Sequence, residues 1–283
     1  MTRTLVRTSL VAAALAAVCA VTAAGAAADG GPAPGPLAGW KGVVAPSGSE
    51  RYVTLPAGPR TVVAAVSTRD GTVVRFRDLR GAWGIPAVAW DGTADGLSAD
   101  GRTLVLAQWL RPGQRSTRFA VLDPRRLRPR RRVVLAGAFS FDAVSPDGRT
   151  IYLIEYVAAQ DATRYRVRAY DLAARRLLPQ PIVDKREPDE PMIGAPITRA
   201  WSQDRAWAYT LYRRDGAKPF IHALDTTNRR AVCIDLPWRG SQDALWRVRL
   251  TLSADQTKLV LQRRGGGDPV AVVDTRTFRV TRG

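Results

Sequence analysis

Short apolar runs alternate with polar turns along most of this chain, and no sustained apolar period of 3.6 residues follows the N-terminal leader. Typical runs are LVLAQ at 104–108, IYLIE at 151–155, AYTLY at 208–212 and LVLQ at 259–262. Branched and aromatic residues dominate them, as is typical of β-strands. The pattern therefore predicts an all-β protein.

Two short phrases recur around these runs. A tight-turn phrase precedes each run: SADGRT, SPDGRT, a degenerate SQDRAW and SADQTK, whose aspartates are Asp100, Asp147, Asp204 and Asp255. A second phrase ends in a landmark aspartate: FAVLD, VRAYD, IHALD and VAVVD, ending at Asp123, Asp171, Asp225 and Asp274. Asp-Gly supplies the positive φ that a short hairpin needs. Both phrases report a repeat of roughly 50 residues.

Five such units, each reading turn, strand, loop, strand, turn and strand, match the four-stranded blade of a β-propeller. The earliest copy places its first clear strand at 60–66 and its second at 72–78, which ends in a fifth landmark aspartate, Asp78. Alternation within a strand predicts that residues four and two before each landmark aspartate pack between blades. These residues are Val74, Phe76, Phe119, Val121, Val167, Ala169, Ile221, Ala223, Val270 and Val272. We expect about five blades, none of which folds alone.

The phrases SPDGRTIYLIEY and HALDTTNRRAVCIDLPWRG resemble the repeats of the bacterial exported YVTN-type and WD40-like β-propeller family. The resemblance extends from about Glu50 to Gly283, and it departs from the family pattern around Asp204, where the turn lacks its glycine. It implies a propeller outside the cytoplasm. Members serve in binding, scaffolding and occasional catalysis, so the resemblance implies no particular activity.

The N-terminus has the layout of a secretory signal peptide. Arg3 and Arg7 precede an Ala-rich apolar run that ends in small residues near Ala28. We predict a signal peptide over 1–28, a Pro/Gly-rich linker over 29–49 and the propeller over 50–283. A retained signal anchor is the alternative, and lipoprotein processing is disfavoured because Val18, not a small residue, precedes Cys19. Residues 43–44 could instead add a strand that closes the ring against 278–281.

The chain is strongly basic. Its 43 Lys and Arg against 25 Asp and Glu give a formal charge of +18, which loss of Arg3 and Arg7 with the leader would lower to +16. Solvated arginines from a GC-rich coding bias could explain much of this charge, and an anionic partner is the functional alternative. Six arginines cluster at a predicted turn and form the arginine patch: Arg125, Arg126, Arg128, Arg130, Arg131 and Arg132. Guanidinium groups bind phosphate and carboxylate in a bidentate manner, although a hydrated hairpin tip would have the same composition.

Candidate ligand-binding residues stand where the second strands end. In a propeller these ends share a face with the loops that enter the innermost strands, and that face commonly binds ligands. The candidates are Trp109, Arg111, Tyr156, Tyr212, Arg213, Arg263 and Arg264. An aromatic and cationic ring of this kind would suit a carbohydrate or an acidic polymer. Alternatively, the same side chains simply cover the edges of the blades.

Other chemistry has few candidate residues. One His and two Cys leave too few ligands for a multi-histidine metal centre, a zinc ribbon or a disulfide framework. His222 and Asp225 are three apart on a predicted strand and so point to opposite faces. Cys233 lies in an apolar strand, and Asp91, Asp95 and Asp100 fit hairpin turns better than a calcium loop. We expect no catalytic residue, no metal and no cofactor.

The sequence thus predicts a secreted or cell-envelope β-propeller that is non-catalytic and binds an extracytoplasmic, anionic ligand or a protein partner. The partner could be a cell-wall polymer, whereas nucleic acid is not expected. We expect a monomer with no membrane span after signal cleavage. An extracytoplasmic hydrolase or lyase without a histidine base and a structural cell-envelope protein are the alternatives.

Overall fold

The computed structural model describes residues 34–109, 115–158, 161–188 and 192–283, and these residues form five antiparallel sheets. Each sheet takes its four main strands from one contiguous stretch of chain in simple up-and-down order. The only helix in the described ranges is the 3₁₀ turn Gln242–Arg247, η1. The predicted all-β propeller of five four-stranded blades is confirmed. The predicted signal peptide lies outside the described residues.

The strands are numbered in chain order and grouped here by blade. Blade I contains β1 (Gly39–Val44), β2 (Glu50–Ala57), β3 (Arg60–Ser67) and β4 (Val73–Arg80). Blade II contains β5 (Trp83–Gly84), β6 (Leu104–Gln108), β7 (Ser116–Asp123) and β8 (Arg128–Ala136). Blade III contains β9 (Phe139–Val144), β10 (Thr150–Ala158), β11 (Asp161–Asp171) and β12 (Arg176–Leu177), and the short β13 (Met192–Ile193) also pairs with β11. Blade IV contains β14 (Ala195–Trp201), β15 (Trp207–Arg213), β16 (Phe220–Asp225) and β17 (Arg230–Asp235). Blade V contains β18 (Val248–Leu252), β19 (Lys258–Arg263), β20 (Ala271–Asp274) and β21 (Val280–Arg282).

The turns between first and second strands follow from their sequence. In blade III, Ser145 Oγ donates to Asp147 Oδ1 at 2.6 Å, and the same carboxylate oxygen accepts the Arg149 amide at 3.0 Å. Gly148 then adopts φ 66°, a conformation that glycine takes without strain. Arg205 takes the equivalent position in blade IV with φ 62°. The degenerate phrase therefore keeps the turn geometry without the glycine.

The landmark aspartates close the turns between third and fourth strands. Asp225 Oδ1 accepts the amides of Thr227 and Asn228 at 3.1 and 2.9 Å, which is an Asx-type turn. Four residues after each landmark aspartate the chain has a positive φ, at Leu127, Arg175, Arg229 and Phe278. Both recurring phrases thus encode hairpin closures on one face of the ring.

Blade I begins earlier than the sequence suggested. Strand β1 lies inside the stretch 29–49 that we expected to be a linker, and its residues Val43 and Val44 pair with β2 of the same blade. They do not pair with the chain end, because β21 pairs with β20. Gly42 permits this pairing, since a Cβ there would lie 1.9 Å from the carbonyl oxygen of Tyr52.

Apolar side chains fill the spaces between successive blades. Separate buried clusters join blades I and II, II and III, III and IV, and IV and V. Phe119 and Ile221 are fully buried as predicted. The prediction was wrong in blade I, where Val74 is 52% and Phe76 70% exposed. The reason is that residues 73–78 belong to the fourth strand, β4, and not to an inner strand.

The alternation is also shifted in blade V. Ala271 and Val273 are buried there, whereas Val270 and Val272 are only half-buried. The buried pair belongs to the cluster that faces blade IV. Among the described residues, no apolar cluster joins blade V to blade I.

A buried ion pair crosses between blades III and IV. Arg199 of β14 donates to the carboxylate and to the carbonyl oxygen of Asp142 in β9, and its Nε donates to Thr210 at 2.7 Å. Both charged side chains are at most 2% exposed. Such a pair is strongly destabilising to break, because either charge alone would remain buried.

We expect Phe119→Ala to lower the free energy of unfolding by about 3–5 kcal/mol, because it empties a buried position in the junction of blades II and III. Urea unfolding followed by tryptophan fluorescence measures the change. Phe76→Ala is the matched control and should cost less than about 0.5 kcal/mol. Equal losses in the two variants would contradict the blade assignment.

An acidic side chain in blade I should make stability depend on pH. Arg75 donates to both carboxylate oxygens of Glu50 at 2.7 and 2.6 Å and to the Pro124 carbonyl of blade II at 3.3 Å. The hydrogen bonds from Arg75 hold the pKa of Glu50 below its ordinary value of 4.5. The ionised pair therefore stabilises the fold above pH 4.5, and its contribution is lost as pH falls through the lowered pKa.

We expect Glu50→Gln to lower the free energy of unfolding at pH 7 by up to about 1 kcal/mol. The difference from the wild type should shrink as pH falls below 4.5, because Glu50 is protonated first in the unfolded chain and then, at lower pH, in the folded protein. Urea midpoints between pH 7 and pH 3 test this. A difference that grows on acidification would contradict the assignment.

Candidate functional site

The centre of the ring is occupied by a segment of blade II. Residues 85–103, here called the central loop, separate β5 from β6. The amides of Trp90 and Asp91 donate to the carbonyls of Pro196 and Ile197 at 2.9 and 3.1 Å. Both acceptors belong to β14, the first strand of blade IV. The central loop therefore reaches across from blade II and pairs with the free edge of blade IV.

A buried carboxylate anchors the same loop. Asp95 is fully buried and pairs with Arg205, the positive-φ residue of the blade IV turn. The guanidinium of Arg205 also lies 4.0 Å above the Trp201 ring, a cation–π contact. Burial raises the pKa of Asp95, although the positive charges of Arg205 and Arg199 oppose that rise. The residue that stands in place of the turn glycine in blade IV, Arg205, is therefore also the residue that holds the central loop.

The tip of the central loop forms one wall of a cleft of about 540 Å³. Two tryptophan rings line it: Trp90 is 43% and Trp246 is 38% exposed. Three arginines, Arg247, Arg263 and Arg264, lie around them, and Ile197, Gly265 and Gly266 complete the lining together with Asp91. The cleft opens beside the β19–β20 loop, on the face opposite the repeated Asp turns.

Local hydrogen bonds place the second tryptophan. Trp246 lies in η1, whose Gln242 side chain accepts the Arg214 amide at 3.0 Å and donates to the carbonyls of Arg214 and Ala217. The amide of Arg264 donates to the Arg247 carbonyl at 2.8 Å, which ties the end of β19 to the end of η1. The cleft walls at η1 and at the end of β19 are therefore held by backbone and side-chain amide contacts.

The cleft carries excess positive charge. Asp91 is the single carboxylate among its described lining residues. One oxygen of Asp91 accepts from the amide and hydroxyl of Thr93, and the other lies 3.5 Å from Arg264. Arg247 and Arg263 are exposed. Two flat apolar rings beside arginines can stack on a sugar or other planar group and pair with its carboxylate or phosphate.

Two of the candidate ligand-binding residues predicted from the sequence, Arg263 and Arg264, line this cleft. Trp109 is 42% exposed but is not part of the lining; its ring lies beside Gly35. Arg111 lies outside the described residues. The predicted ring is therefore not gathered at one place.

The remaining candidate ligand-binding residues make contacts inside the protein. Tyr156 shares a hydrogen bond of 2.9 Å with Ser140, and Tyr212 is 3% exposed and stacks on Phe220. Arg213 pairs with Asp215 at 2.9 Å and with Asp243 at 3.3 Å, and only a tenth of its side chain is exposed. Of these three residues, Arg213 contacts a cleft element, because Asp243 belongs to η1.

The arginine patch lies apart from the cleft. Arg125 and Arg126 occupy the turn after β7, and the other four belong to β8, the last strand of blade II. Arg130 pairs with Asp123 at 2.7 Å, and Arg132 lies 6.0 Å from the Trp83 ring centroid. All except Arg131 are exposed.

The aspartates of the central loop have separate roles. Asp91 faces the cleft, Asp95 is buried against Arg205, and Asp100 accepts the hydroxyl of Ser98 and the amide of Arg102. Among the described residues, no three His, Cys, Asp or Glu side chains come together as a metal site. No helix in the same ranges is long and apolar enough to cross a membrane.

Sequence reasoning missed Trp90, Trp246, Asp91 and Arg247. One signal was present: the tight-turn phrase at Ser98 has no clear strand directly before it, unlike the later copies. That irregularity marks the central loop. Trp246 carried no such signal, because its position depends on how η1 packs against blade IV.

No protein-family model and no curated protein matches the sequence. Solved structures resemble the fold. An oligogalacturonate lyase in complex with manganese aligns with a TM-score of 0.51 and 10% identity over 86% of this chain and 63% of that one. A protein of unknown function from Desulfotomaculum acetoxidans gives 0.51 and 13% over 85% and 67%. TolB from Acinetobacter baumannii gives 0.47 and 12% over 88% and 53%.

The chain thus spans about half to two thirds of the length of these neighbours. At such identities the similarity shows the β-propeller fold alone. The likeness to YVTN-type repeats remains a resemblance of short phrases.

We expect Arg205→Met to detach the central loop, because it leaves the Asp95 carboxylate buried without its partner. The free energy of unfolding should fall by about 3–5 kcal/mol. Hydrogen exchange should accelerate at the amides of Trp90 and Asp91. Arg69→Met, at an exposed turn of blade I, is the control. Unchanged exchange at the two amides in Arg205→Met would contradict the proposed anchoring.

Proposed function

We propose that the protein is a non-catalytic β-propeller that binds an acidic oligosaccharide in the cleft between Trp90 and Trp246. The observation that carries the proposal is the placement of two exposed indole rings among three arginines at one opening. Carbohydrate rings present flat C–H faces that stack on indole, and their carboxylates pair with guanidinium. The volume of about 540 Å³ suits a ligand of a few sugar units.

The charge of the cleft favours an anionic ligand over a neutral one. Its single described carboxylate, Asp91, already faces Arg264, whereas Arg247 and Arg263 have no acidic neighbour among the lining residues. The formal charge of the whole chain, +18, would draw an anionic polymer towards any face. The arginines of the cleft and the positive charge of the whole chain therefore both favour an anionic ligand.

Binding is a better account of this cleft than acid–base catalysis. A hydrolase that uses two carboxylates, or a lyase with a carboxylate base, needs acids placed around the scissile bond. The lining instead combines aromatic rings and cations with one paired aspartate. The structural likeness to an oligogalacturonate lyase makes lyase activity the alternative to test.

The signal-peptide pattern of residues 1–28 supports action outside the cytoplasmic membrane, where acidic polysaccharides of the cell envelope are available. The arginine patch gives such a polymer a second surface to contact. It lies on blade II and could engage a long chain beyond the cleft.

Oligogalacturonate is the probe for this proposal, because it joins sugar rings to regularly spaced carboxylates. Isothermal titration calorimetry should show binding that weakens with added salt, while an uncharged maltooligosaccharide binds less. We expect Trp246→Ala and the double variant Arg263→Gln/Arg264→Gln each to weaken binding by about tenfold or more. Phe76→Ala and Arg69→Gln are controls with an exposed aromatic ring and an exposed arginine elsewhere.

Three results would contradict the proposal. The first is the absence of binding, and the second is binding that the cleft variants leave unchanged. In the second case, loss of binding after neutralisation of Arg125 to Arg132 would assign the anionic contact to the arginine patch. The third is the release of unsaturated products, which absorb in the near ultraviolet and would establish lyase activity.

A further inference from the structure

The outermost strand of blade II, β8, has two different faces. Val133 and Leu135 are at most 9% exposed and belong to the apolar cluster that joins blades II and III. Arg132 and Val134 alternate with them and are exposed, Val134 to 57%. Because side chains alternate along a strand, these two face blade I. The outer strands of blades I and II therefore leave an open groove between them.

Arg118 lies beside Arg132 on the blade I face. The register partner of Arg132 is Ala120, which is buried in the cluster that joins blades I and II, and Arg118 pairs with Val134. Arg118 and Arg132 are thus diagonal neighbours on adjacent strands, a relation that places two residues about 7–8 Å apart. The Arg132 guanidinium also lies 6.0 Å from the Trp83 ring centroid. Two long cationic side chains therefore share one small area of the groove.

Blade I supplies a third arginine, Arg77 of β4. Its register partner in β3 is fully buried in the cluster that joins the two blades, so Arg77 faces blade II. On one side of it along β4, Arg75 donates to the Pro124 carbonyl of blade II at 3.3 Å. On the other side, the Arg80 carbonyl accepts from the Trp83 indole at 2.9 Å. Arg77 therefore lies between two contacts to blade II, at the level of the groove.

These three arginines have no carboxylate partner among the described residues. The strands of blades I and II carry three carboxylates, and each pairs with another arginine: Glu50 with Arg75, Asp78 with Arg60 and Asp123 with Arg130. The Nε of Arg77 is also buried without a hydrogen-bond acceptor among the described residues. An unmet buried donor costs free energy, and more so when it is charged. The groove thus lacks an anion that would accept from these groups.

We propose that the groove lined by Arg77, Arg118 and Arg132, here called the phosphate groove, binds the phosphate of a phosphomonoester. A tetrahedral phosphate can accept from guanidinium groups on three strands, whereas the two oxygens of a carboxylate match a single guanidinium fork. A phosphomonoester carries a charge of about −1.5 to −2 at pH 7, and so it compensates more of the groove's charge than a carboxylate does. The phosphate groove lies apart from the tryptophan cleft and does not rest on the function proposed for that cleft.

Binding should also stabilise the fold, because the three arginines belong to two blades that a bound phosphate would link. A ligand that binds only the folded state stabilises it in proportion to the logarithm of its free concentration. We expect glycerol phosphate to raise the thermal unfolding midpoint more than sodium chloride does at equal ionic strength. Chloride screens the repulsion between the arginines but does not bridge them.

The Trp83 indole gives a local readout of the phosphate groove. The test is a titration of the full, ¹⁵N-labelled chain with glycerol phosphate at constant ionic strength, followed by the indole N–H signals. We expect the Trp83 signal to shift along a saturating curve. The signals of Trp90 and Trp246 report on the cleft, so a failure of the cleft proposal leaves the Trp83 result intact. Single Trp→Phe variants assign the three signals.

The variants separate the groove from overall charge. Arg77→Gln, Arg118→Gln and Arg132→Gln should each weaken binding by about tenfold or more, because each removes hydrogen bonds between charged groups. Arg118 is exposed, so its replacement empties no buried space and tests the site even if Arg77→Gln fails to fold. Arg80→Gln is the matched control: it removes one charge from an exposed residue on the opposite face of β4 and should bind as the wild type does.

A phosphate group can belong to a soluble ester or to a phospholipid head group, and sedimentation with phosphatidic acid vesicles distinguishes the two sources. Binding to glycerol phosphate supports a soluble ligand. Binding to vesicles alone, weakened by Arg118→Gln but not by Arg80→Gln, supports a head group. The proposal is overturned if neither probe binds, if glycerol phosphate shifts Trp90 and Trp246 but not Trp83, or if the three groove variants bind as tightly as Arg80→Gln.

Discussion

The central loop is held by two amide hydrogen bonds to β14 and by the ion pair of Asp95 with Arg205. The cleft depends on these contacts, because they carry Trp90 from blade II to the wall of blade IV. Without these contacts the cleft would be lined by arginines and a single indole, as many solvated surfaces are. With them its lining contains two indoles, together with residues of the β19–β20 loop.

The repeat was predictable because its signals are local. Each hairpin closes through bonds between residues at most five apart, as Ser145, Asp147 and Thr150 illustrate. The central loop was not predictable, since Asp95 meets a residue 110 positions later. Blade I was misread for a related reason. Its third strand lacks a landmark aspartate, so the phrase ending at Asp78 was assigned to the wrong strand.

Blade IV is the irregular blade of the repeat, and its departures from the pattern coincide with its contacts. Arg205 stands where another blade has glycine, and it holds the central loop. The long connection that precedes the blade places Asp184 and Met192 in the lining of a small cavity that His222 and Cys233 also line. Arg199 supplies a buried charge to blade III. The regular blades form the ring, whereas the irregular positions of blade IV make buried polar contacts with blade III and with the central loop.

Each blade in the described chain is completed by its own contiguous strands. Among the described strands, none of blade I joins the sheet of blade V and none of blade V joins the sheet of blade I, unlike propellers that are latched by strand exchange. No buried apolar cluster of the described residues contains side chains from both the first and the last blade. In the described part of the chain, a force that pulls blade I and blade V apart would therefore meet no shared strand, whereas blades II and IV would stay tied to each other through the central loop.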